Sequence, residues 1–435
     1  MLTIPYQKNI PITAEFDVLV IGGGPAGMLA ATAAAKNGAR VALAERYGFL
    51  GGAATAALVN PISTFKKNGE QVIGGLAWQF VERLTEVGGA DDTYPNGNVP
   101  VDAELFKLAA QRMLLESGVT LYLHTTLIDV QGAKKHPTYA VLQNKSGLFA
   151  LRAKIFIDCT GDADLAALCG VPMQQMPPAE GMQPASLGFR LGGVKTALVT
   201  GLHPAEPGAK FQMYEVRKIF ESLPESIRVP QFGGPWFCTV LNDEAGIVSV
   251  NITRTAADAT NGESVTAAEC RLHEDAHALF ALLKCHVPAF KDSYLITTAT
   301  QVGFRESRRI KGVYTLDAEE YASAYHYPDA VARGAHPIDI HRAADTKQDV
   351  QFLQKAGYIP YRAMIAEGFD HLLVAGRCIS ADRASFASIR VMATAMALGE
   401  AAGTAAALCV REECGTTGLN TDLLRATLLA QGAII

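Results

Sequence analysis

The chain has 435 residues, 49% of them hydrophobic and 19% charged, with a formal net charge of -5. That length exceeds one ordinary core and suits two domains, and the composition is that of a packed globular protein, not a disordered one. No block of like charge is present, so neither nucleic acid nor an anionic membrane, each of which calls for a concentrated basic face, is an expected partner.

The first sixteen residues carry Lys8 and Glu15 and hold no uninterrupted apolar run, so a secretory signal is not expected. The stretch Ala395–Val410 reads as too short, and too dotted with Gly399, Glu400 and Gly403, to span a bilayer. The eight cysteines include no C-x-x-C pair, which speaks against a dithiol centre, an iron–sulfur site or a zinc ribbon, and no metal is expected. Scattered thiols suit a reducing compartment, and the cytoplasm is the expected location.

In chain order, Phe16–Ile21 reads as a buried β-branched strand that runs into Gly22-Gly23-Gly24-Pro25-Ala26-Gly27. An alanine-rich helix follows to about Asn37 and stops at Gly38, and Arg40–Glu45 is the next strand. This is a βαβ unit. Val101–Ser117 has helical periodicity. Short strands are expected at Val119–Leu123, Leu127–Val130, Tyr139–Gln143, Phe149–Arg152 and Lys154–Asp158, with a hairpin turn at Ser146-Gly147. From Cys169 to Ile359 the alternation fades and most histidines appear. It returns with a strand at His371–Ala375 and a long small-residue helix from about Arg390. The expected architecture is α/β: a discontinuous Rossmann-like dinucleotide-binding domain over residues 1–168 and 360–435, with an inserted α+β substrate domain over 169–359.

Gly22-x-Gly24-x-x-Gly27 sits between a strand and a helix. Gly22 permits the tight turn, Gly24 lets main chain approach a pyrophosphate, and Gly27 lets helix and strand pack closely; Pro25 and Ala26 begin the helix whose N–H groups meet the anion. Glu45 ends the second strand, where a carboxylate accepts from both ribose hydroxyls. Taken alone, without that context, Glu45 also reads as a solvated carboxylate at a strand end. FAD, as distinct from NAD, calls for further glycines and a second segment that closes over the flavin. Leu50-Gly51-Gly52-Ala53-Ala54 and Leu373-Val374-Ala375-Gly376-Arg377 supply them, and the helix opened by Arg390-Val391-Met392 can aim its N-terminus at the flavin pyrimidine.

These segments resemble the FAD-dependent oxidoreductases of the glutathione-reductase-like flavoprotein superfamily. The resemblance is carried by Asp17–Gly27, Glu45-Arg46, Leu50–Thr55, Ile157–Asp162, Ile359–Arg362 and Leu373–Ala407, and it touches the middle at Arg305–Arg309 and Pro337–His341. It implies that Thr160, Gly161 and Asp162 lie along the FAD backbone and that the strand around Leu127 sets its main chain against the adenine. It also implies that Gly376 and Arg377 meet the ribityl-flavin portion and that Arg390–Thr394 sits at the flavin ring. Where relatives often carry Thr-His after the glycine-arginine-cysteine turn, this chain has Ser380-Ala381-Asp382-Arg383, which points to different chemistry or a more anionic substrate.

Flavin chemistry needs a hydride path and a group that moves a proton. His336-Pro337-Ile338-Asp339-Ile340-His341 is the densest polar cluster. Strand alternation puts Asp339 and His341 on one face, a base beside a carboxylate, or else a polar strand edge. Arg305, Arg308 and Arg309 either grip an acidic substrate or else pair with Glu306 and nearby acids or contact FAD, and the second reading is preferred for the cluster. His273 and His277 share a helix face without a third metal ligand, and Cys378 reads as a buried structural thiol.

There is no second Gly-x-Gly-x-x-Gly and no redox cysteine pair, so electrons enter from a substrate, a diffusing reductant or a protein partner. The expected function is hydride transfer between flavin N5 and a small polar organic molecule, with an anionic group the natural ligand for arginine. The direction is open between oxidation of a CH–OH or CH–NH centre and reduction of an activated alkene. A flavin-binding electron-transfer or scaffold subunit is the alternative, and an NAD-binding dehydrogenase without flavin is a third. A homo-oligomer is left open.

Overall fold

The computed structural model describes residues 2–93, 97–133, 135–199, 213–238, 245–345 and 347–435. Strand β1 (Ile12–Ile21) buries Val18–Ile21, as a central strand covered on both faces must, and at Gly22 it yields to helix α1 (Pro25–Lys36). Proline suits the first turn, where its missing N–H costs nothing. Gly38, at φ +90°, follows the helix end in a conformation most side chains avoid. β2 (Val41–Ala44) then pairs with β1 in parallel.

Helices α2 (Gly75–Glu86) and α3 (Ala103–Glu116) come next, and the Asp102 side chain caps α3 by accepting from the amides of Glu104 and Leu105. Strands β3 (Thr120–Tyr122), β4 (Thr126–Ala133), β5 (His136–Asn144) and β6 (Gly147–Asp158) complete the N-terminal part of the sheet. Its order is β3-β2-β1-β6-β5-β4, parallel from β3 to β6 and antiparallel from β6 to β4. The sequence reading split residues 149–158 into two strands. They form one, because no turn residue interrupts Arg152-Ala153-Lys154.

A second, antiparallel sheet follows, of order β8-β9-β7-β10, from β7 (Phe189–Gly192), β8 (Phe232–Cys238), β9 (Val248–Thr253) and β10 (Tyr294–Thr298). Helix α4 (Gly262–His286) packs on it through Leu272, Leu279 and Leu283, and the apolar cluster here draws on residues from Ala185 to Val302. Ile310, Tyr321, Ile338 and Ile359 pack instead into the larger core around the first sheet. β11 (Ile338–His341) and β12 (Gln348–Gln351) form a hairpin at the junction of the two cores.

The chain then returns to the first sheet as β13 (Leu372–Val374), parallel to the end of β6. Helices α5 (Arg383–Ile389) and α6 (Met392–Arg411) follow. α6 lies so close to α1 that a Cβ added at Gly399 or Gly403 would sit 2.9 Å from the Cα of Ala26 or Ala30. By length and composition alone α6 could cross a membrane, its most apolar eighteen residues having a mean hydropathy of 1.4, so the stretch is not too short as the sequence suggests. In the fold 89% of that window is buried, against α1, α2 and the sheet.

Candidate active site: a glycine cradle facing an arginine pocket

One cavity of about 1250 Å³ runs from the tip of β1 to the β11–β12 hairpin. One end is main chain. Gly22, Gly24, Pro25 and Ala26 line it beside Gly52 and Ala53, with Thr160, Gly161 and Asp162 after β6 and Gly376 and Arg377 after β13. Gly22 adopts φ +98°, and a Cβ there would lie 2.5 Å from the Cys159 carbonyl oxygen. A Cβ at Gly24, by contrast, meets nothing but the Gly52 Cα at 3.8 Å, so the side facing the cavity is bare. No side chain caps α1 and its first turn holds no acid, which leaves its free amides available to an anion.

Glu45 also lines the cavity. Its Oε2 accepts from the Gly23 amide at 2.6 Å and its Oε1 from the Tyr47 amide at 2.9 Å. Burial raises its pKa, and those two bonds oppose the shift. Arg46 stands beside it and donates to Gln301 Oε1 at 2.5 Å. Asp162 accepts from Arg377 Nη2 at 2.7 Å, and Arg377 Nη1 donates to Ser307 Oγ at 2.7 Å. The fit to a dinucleotide is thus a bare glycine wall, an uncapped helix start and a carboxylate at the end of the second strand.

The other end is built from charged side chains. Asp339 and His341 share a face of β11, with His341 Nε2 2.8 Å from Asp339 Oδ2. Arg390, just before α6, places Nη2 3.2 Å from the Asp339 carbonyl oxygen and 3.6 Å from Oδ2. Arg305 Nη1 donates to the Pro184 carbonyl at 2.7 Å and to Ser186 Oγ at 2.8 Å, and its Nη2 reaches Asn251 Oδ1 at 3.4 Å. Behind it, Arg254 donates to Ser186 Oγ at 3.0 Å and meets His341 Nδ1 at 3.2 Å. Among the described residues neither Arg254 nor Arg305 has a carboxylate partner, and the buried Nε of Arg390 and Oδ1 of Asp339 have no hydrogen bond.

Three guanidiniums thus lie in the field of Asp339, and only Arg390 pairs with it. Burial drives Arg254 down to about 10 and Arg305 well below its ordinary value, with the neighbouring arginines adding to each shift. Burial works to raise the Asp339 pKa, but the hydrogen bond from His341 and the charge of Arg390 hold it well below the usual carboxylate range. Burial and the two arginines push His341 far below a free imidazole. A buried cation without a counter-charge is costly, so this end of the cavity is electrostatically suited to an anion.

A family model for FAD dependent oxidoreductase matches residues 17–428. The chain belongs to that family. FAD is its cofactor, and the mixed α/β fold with its parallel strands is that of a flavin enzyme. This FAD dependent oxidoreductase is 40% identical to glutathione reductase of Schizosaccharomyces pombe over 88 residues, 17% of this chain and 19% of that one. It is 33% identical to thiamine thiazole synthase of Desulfosudis oleivorans over 168 residues, 36% of this chain and 60% of that one. The matched stretches thus span less than two thirds of either relative. Among solved structures it is similar to a geranylgeranyl bacteriochlorophyll reductase-like protein from Thermoplasma acidophilum (TM-score 0.49, 14% identity, 96% of this chain and 84% of that one).

Most residues singled out from the sequence of this FAD dependent oxidoreductase meet in the one cavity. Arg305, His336, Asp339, His341, Arg390, Val391 and Met392 line it together with the cradle. Gly27, Gly51 and Leu127 do not. Gly27 is where α1 crosses the Gly22 carbonyl, and Gly51, at φ +108°, packs against Thr55 and Phe106. Leu127 pairs with Leu142 in the antiparallel part of the sheet. Arg308 and Arg309 pair with Asp164 and Glu306, as the preferred reading of that cluster has it, whereas Arg305 departs from it and bonds only neutral groups. Arg383 lies outside the lining and donates to the Gly181 carbonyl, near Glu306. Cys378 is fully buried, and no metal-ligand cluster exists among the described residues. The sequence reading missed Ser186, Asn251 and Arg254, solitary polar residues in no recognisable spacing.

Proposed function

We propose that the protein exchanges a hydride between flavin N5 and a small, polar, anionic organic molecule seated at Arg305. The reading rests above all on one observation: a single cavity has the glycine cradle at one end and the arginine–histidine pocket at the other. Bound FAD supplies the two-electron chemistry, taking or giving a hydride at N5. In this reading Gly22, Gly24, Pro25 and Ala26, with the start of α1, hold the pyrophosphate, and Glu45 and Arg46 the ribose end. Gly27 and Gly51 shape the cradle from behind, Gly52 and Ala53 close it, and the main chain at Leu127 belongs to the adenine side. Thr160, Gly161, Asp162, Gly376 and Arg377 follow the linking chain, and Arg390, Val391 and Met392 meet the ring.

Arg305 grips the substrate anion, since its planar fork suits a carboxylate and its existing partners are all neutral. His336, Asp339 and His341 supply the polar groups that orient the reacting centre and handle its proton. An electron-transfer or scaffold subunit would need no such charged recess beside the cradle.

The test is an anaerobic panel of small carboxylic acids bearing hydroxyl, amino or alkene groups, mixed with oxidised or photoreduced holoenzyme. Bleaching of the oxidised-flavin band identifies a hydride donor, and its return without oxygen identifies an acceptor. At least one acid should act in one direction while its amide or ester does not. If the neutral derivatives react as well as the acids, the anionic substrate is excluded.

A further inference from the structure

Both ring nitrogens of His341 are engaged. Arg254 Nη2, 3.2 Å from Nδ1, can only donate, so Nδ1 carries the lone pair. Nε2 must then carry the proton and donate it to Asp339 Oδ2 at 2.8 Å. Arg254 cannot swing away cheaply, because it is 3% exposed and its Nη1 is tied to Ser186 Oγ. Adding a second proton to this imidazole would break the Arg254 bond and set two cations face to face.

His336 is arranged differently. Its Nδ1 lies 2.8 Å from the Pro337 carbonyl oxygen, which can only accept, so Nδ1 donates and the lone pair of the neutral ring is on Nε2. The residue lines the cavity, and Nε2 has no hydrogen-bond partner among the described residues. The main chain is held as well: Ser388 Oγ donates to the His336 carbonyl at 2.5 Å and meets Tyr321 Oη at 3.1 Å. A basic nitrogen is thus presented to the cavity on a braced support.

We propose that His336 Nε2 is the group that exchanges a proton with the substrate, while Arg254 and Asp339 are positioning residues that fix His341 as a neutral Nε2–H donor. This rests on the hydride-exchange reading above. FAD held in the glycine cradle would supply the two-electron acceptor: when a CH–OH or CH–NH centre is oxidised, its C–H bond would break and the hydrogen would leave with that electron pair as hydride. The O–H or N–H proton passes to His336 Nε2, the electrons of that bond form the new C=O or C=N bond, and the imidazolium gives its proton to water in the open cavity. For an alkene the transfers run in reverse, the carbon beside the one that receives the hydride taking its proton from His336.

The charged groups acting on His336 are Arg390, from the turn before α6, and Asp339, from β11; α5 presents only the Ser388 hydroxyl. Burial and then Arg390 bring the free ring down to about 4, against the pull of Asp339. An anion seated beside Arg305 and Arg390 offsets part of that field, so substrate binding makes His336 a stronger base when one is needed.

The test is nitrogen NMR on ¹⁵N-histidine-labelled holoenzyme from pH 4 to 9, with and without acetate as the probe anion. His336→Gln and His341→Gln variants, matched for flavin content, assign the signals. One neutral ring should keep its proton on Nε2 across the range and vanish in H341Q. Another should carry it on Nδ1, vanish in H336Q, and titrate at higher pH when acetate is present. Arg254→Met should free the first ring to change tautomer and move its titration up by at least one pH unit. In turnover, H336Q should lower kcat by roughly a hundredfold with little change in KM. The proposal is overturned if His341 is the ring with a free Nε2, if His336 carries its proton on Nε2, or if R254M leaves both rings unchanged. Because the tautomers are read without turnover, their failure is distinct from an unresponsive substrate panel, which would count against hydride exchange itself.

Discussion

The cradle end of the cavity is made by leaving side chains out, whereas the pocket end is made by bringing charged side chains in from residues 254 to 390. In the cradle a change acts through shape, at a distance of one Cβ. In the pocket it acts through charge and travels along shared partners, since Ser186 serves both Arg254 and Arg305 and Asp339 serves both His341 and Arg390. Shape in a turn is local in sequence. A charge balance is not.

The largest test of this contrast lies within the cradle itself. Gly27→Val should abolish soluble, folded protein, because the new Cβ would occupy the Gly22 carbonyl; expression and circular dichroism check it. Gly24→Val should fold, since its Cβ meets only Gly52, and yet hold FAD about a thousandfold more weakly, roughly 4 kcal/mol. If both variants bind flavin normally, the bare glycine wall is not the cofactor site.

A smaller effect belongs to Glu400, a buried acid on α6 that lies apart from the pocket. Its Oε2 accepts from the Leu76 amide at the start of α2 at 3.0 Å, its Oε1 has no hydrogen bond among the described residues, and burial raises it from 4.5 to about 7. Its folded pKa lies above the unfolded one, so its contribution to stability is full below about pH 4.5 and is lost as pH rises through about 7. Glu400→Gln should escape that loss. Thermal unfolding at pH 5 and pH 8 should show the variant gaining on the parent by on the order of 2 kcal/mol, with flavin content unchanged. A constant gap would mean that Glu400 does not titrate in this window.

The same contrast explains what could be read in advance. Strand β1, helix α1 and the acid at the end of β2 were legible because glycine spacing, apolar runs and Glu45 lie within thirty residues of one another. The pairing of Asp339 with His341 was legible from strand alternation. Arg254 was not, because nothing near it in sequence distinguishes it from a surface arginine; it is defined by β9 packing beside the β11 hairpin. Nor could the sequence divide the labour between His336 and His341, which depends on whether a neighbour donates or accepts. The long α6 was legible as a small-residue helix from about Arg390, and its glycines let it lie against α1.

The most direct measurement asks whether cradle and pocket are one space. Malonate, a small carboxylate that does not itself react, is titrated into oxidised holoenzyme while the flavin absorption band is followed. A saturable shift of the band is expected, weakened at least tenfold in Arg305→Met at equal flavin content. A band that ignores malonate, or an equal shift in the variant, would contradict a carboxylate seat at Arg305 beside the flavin.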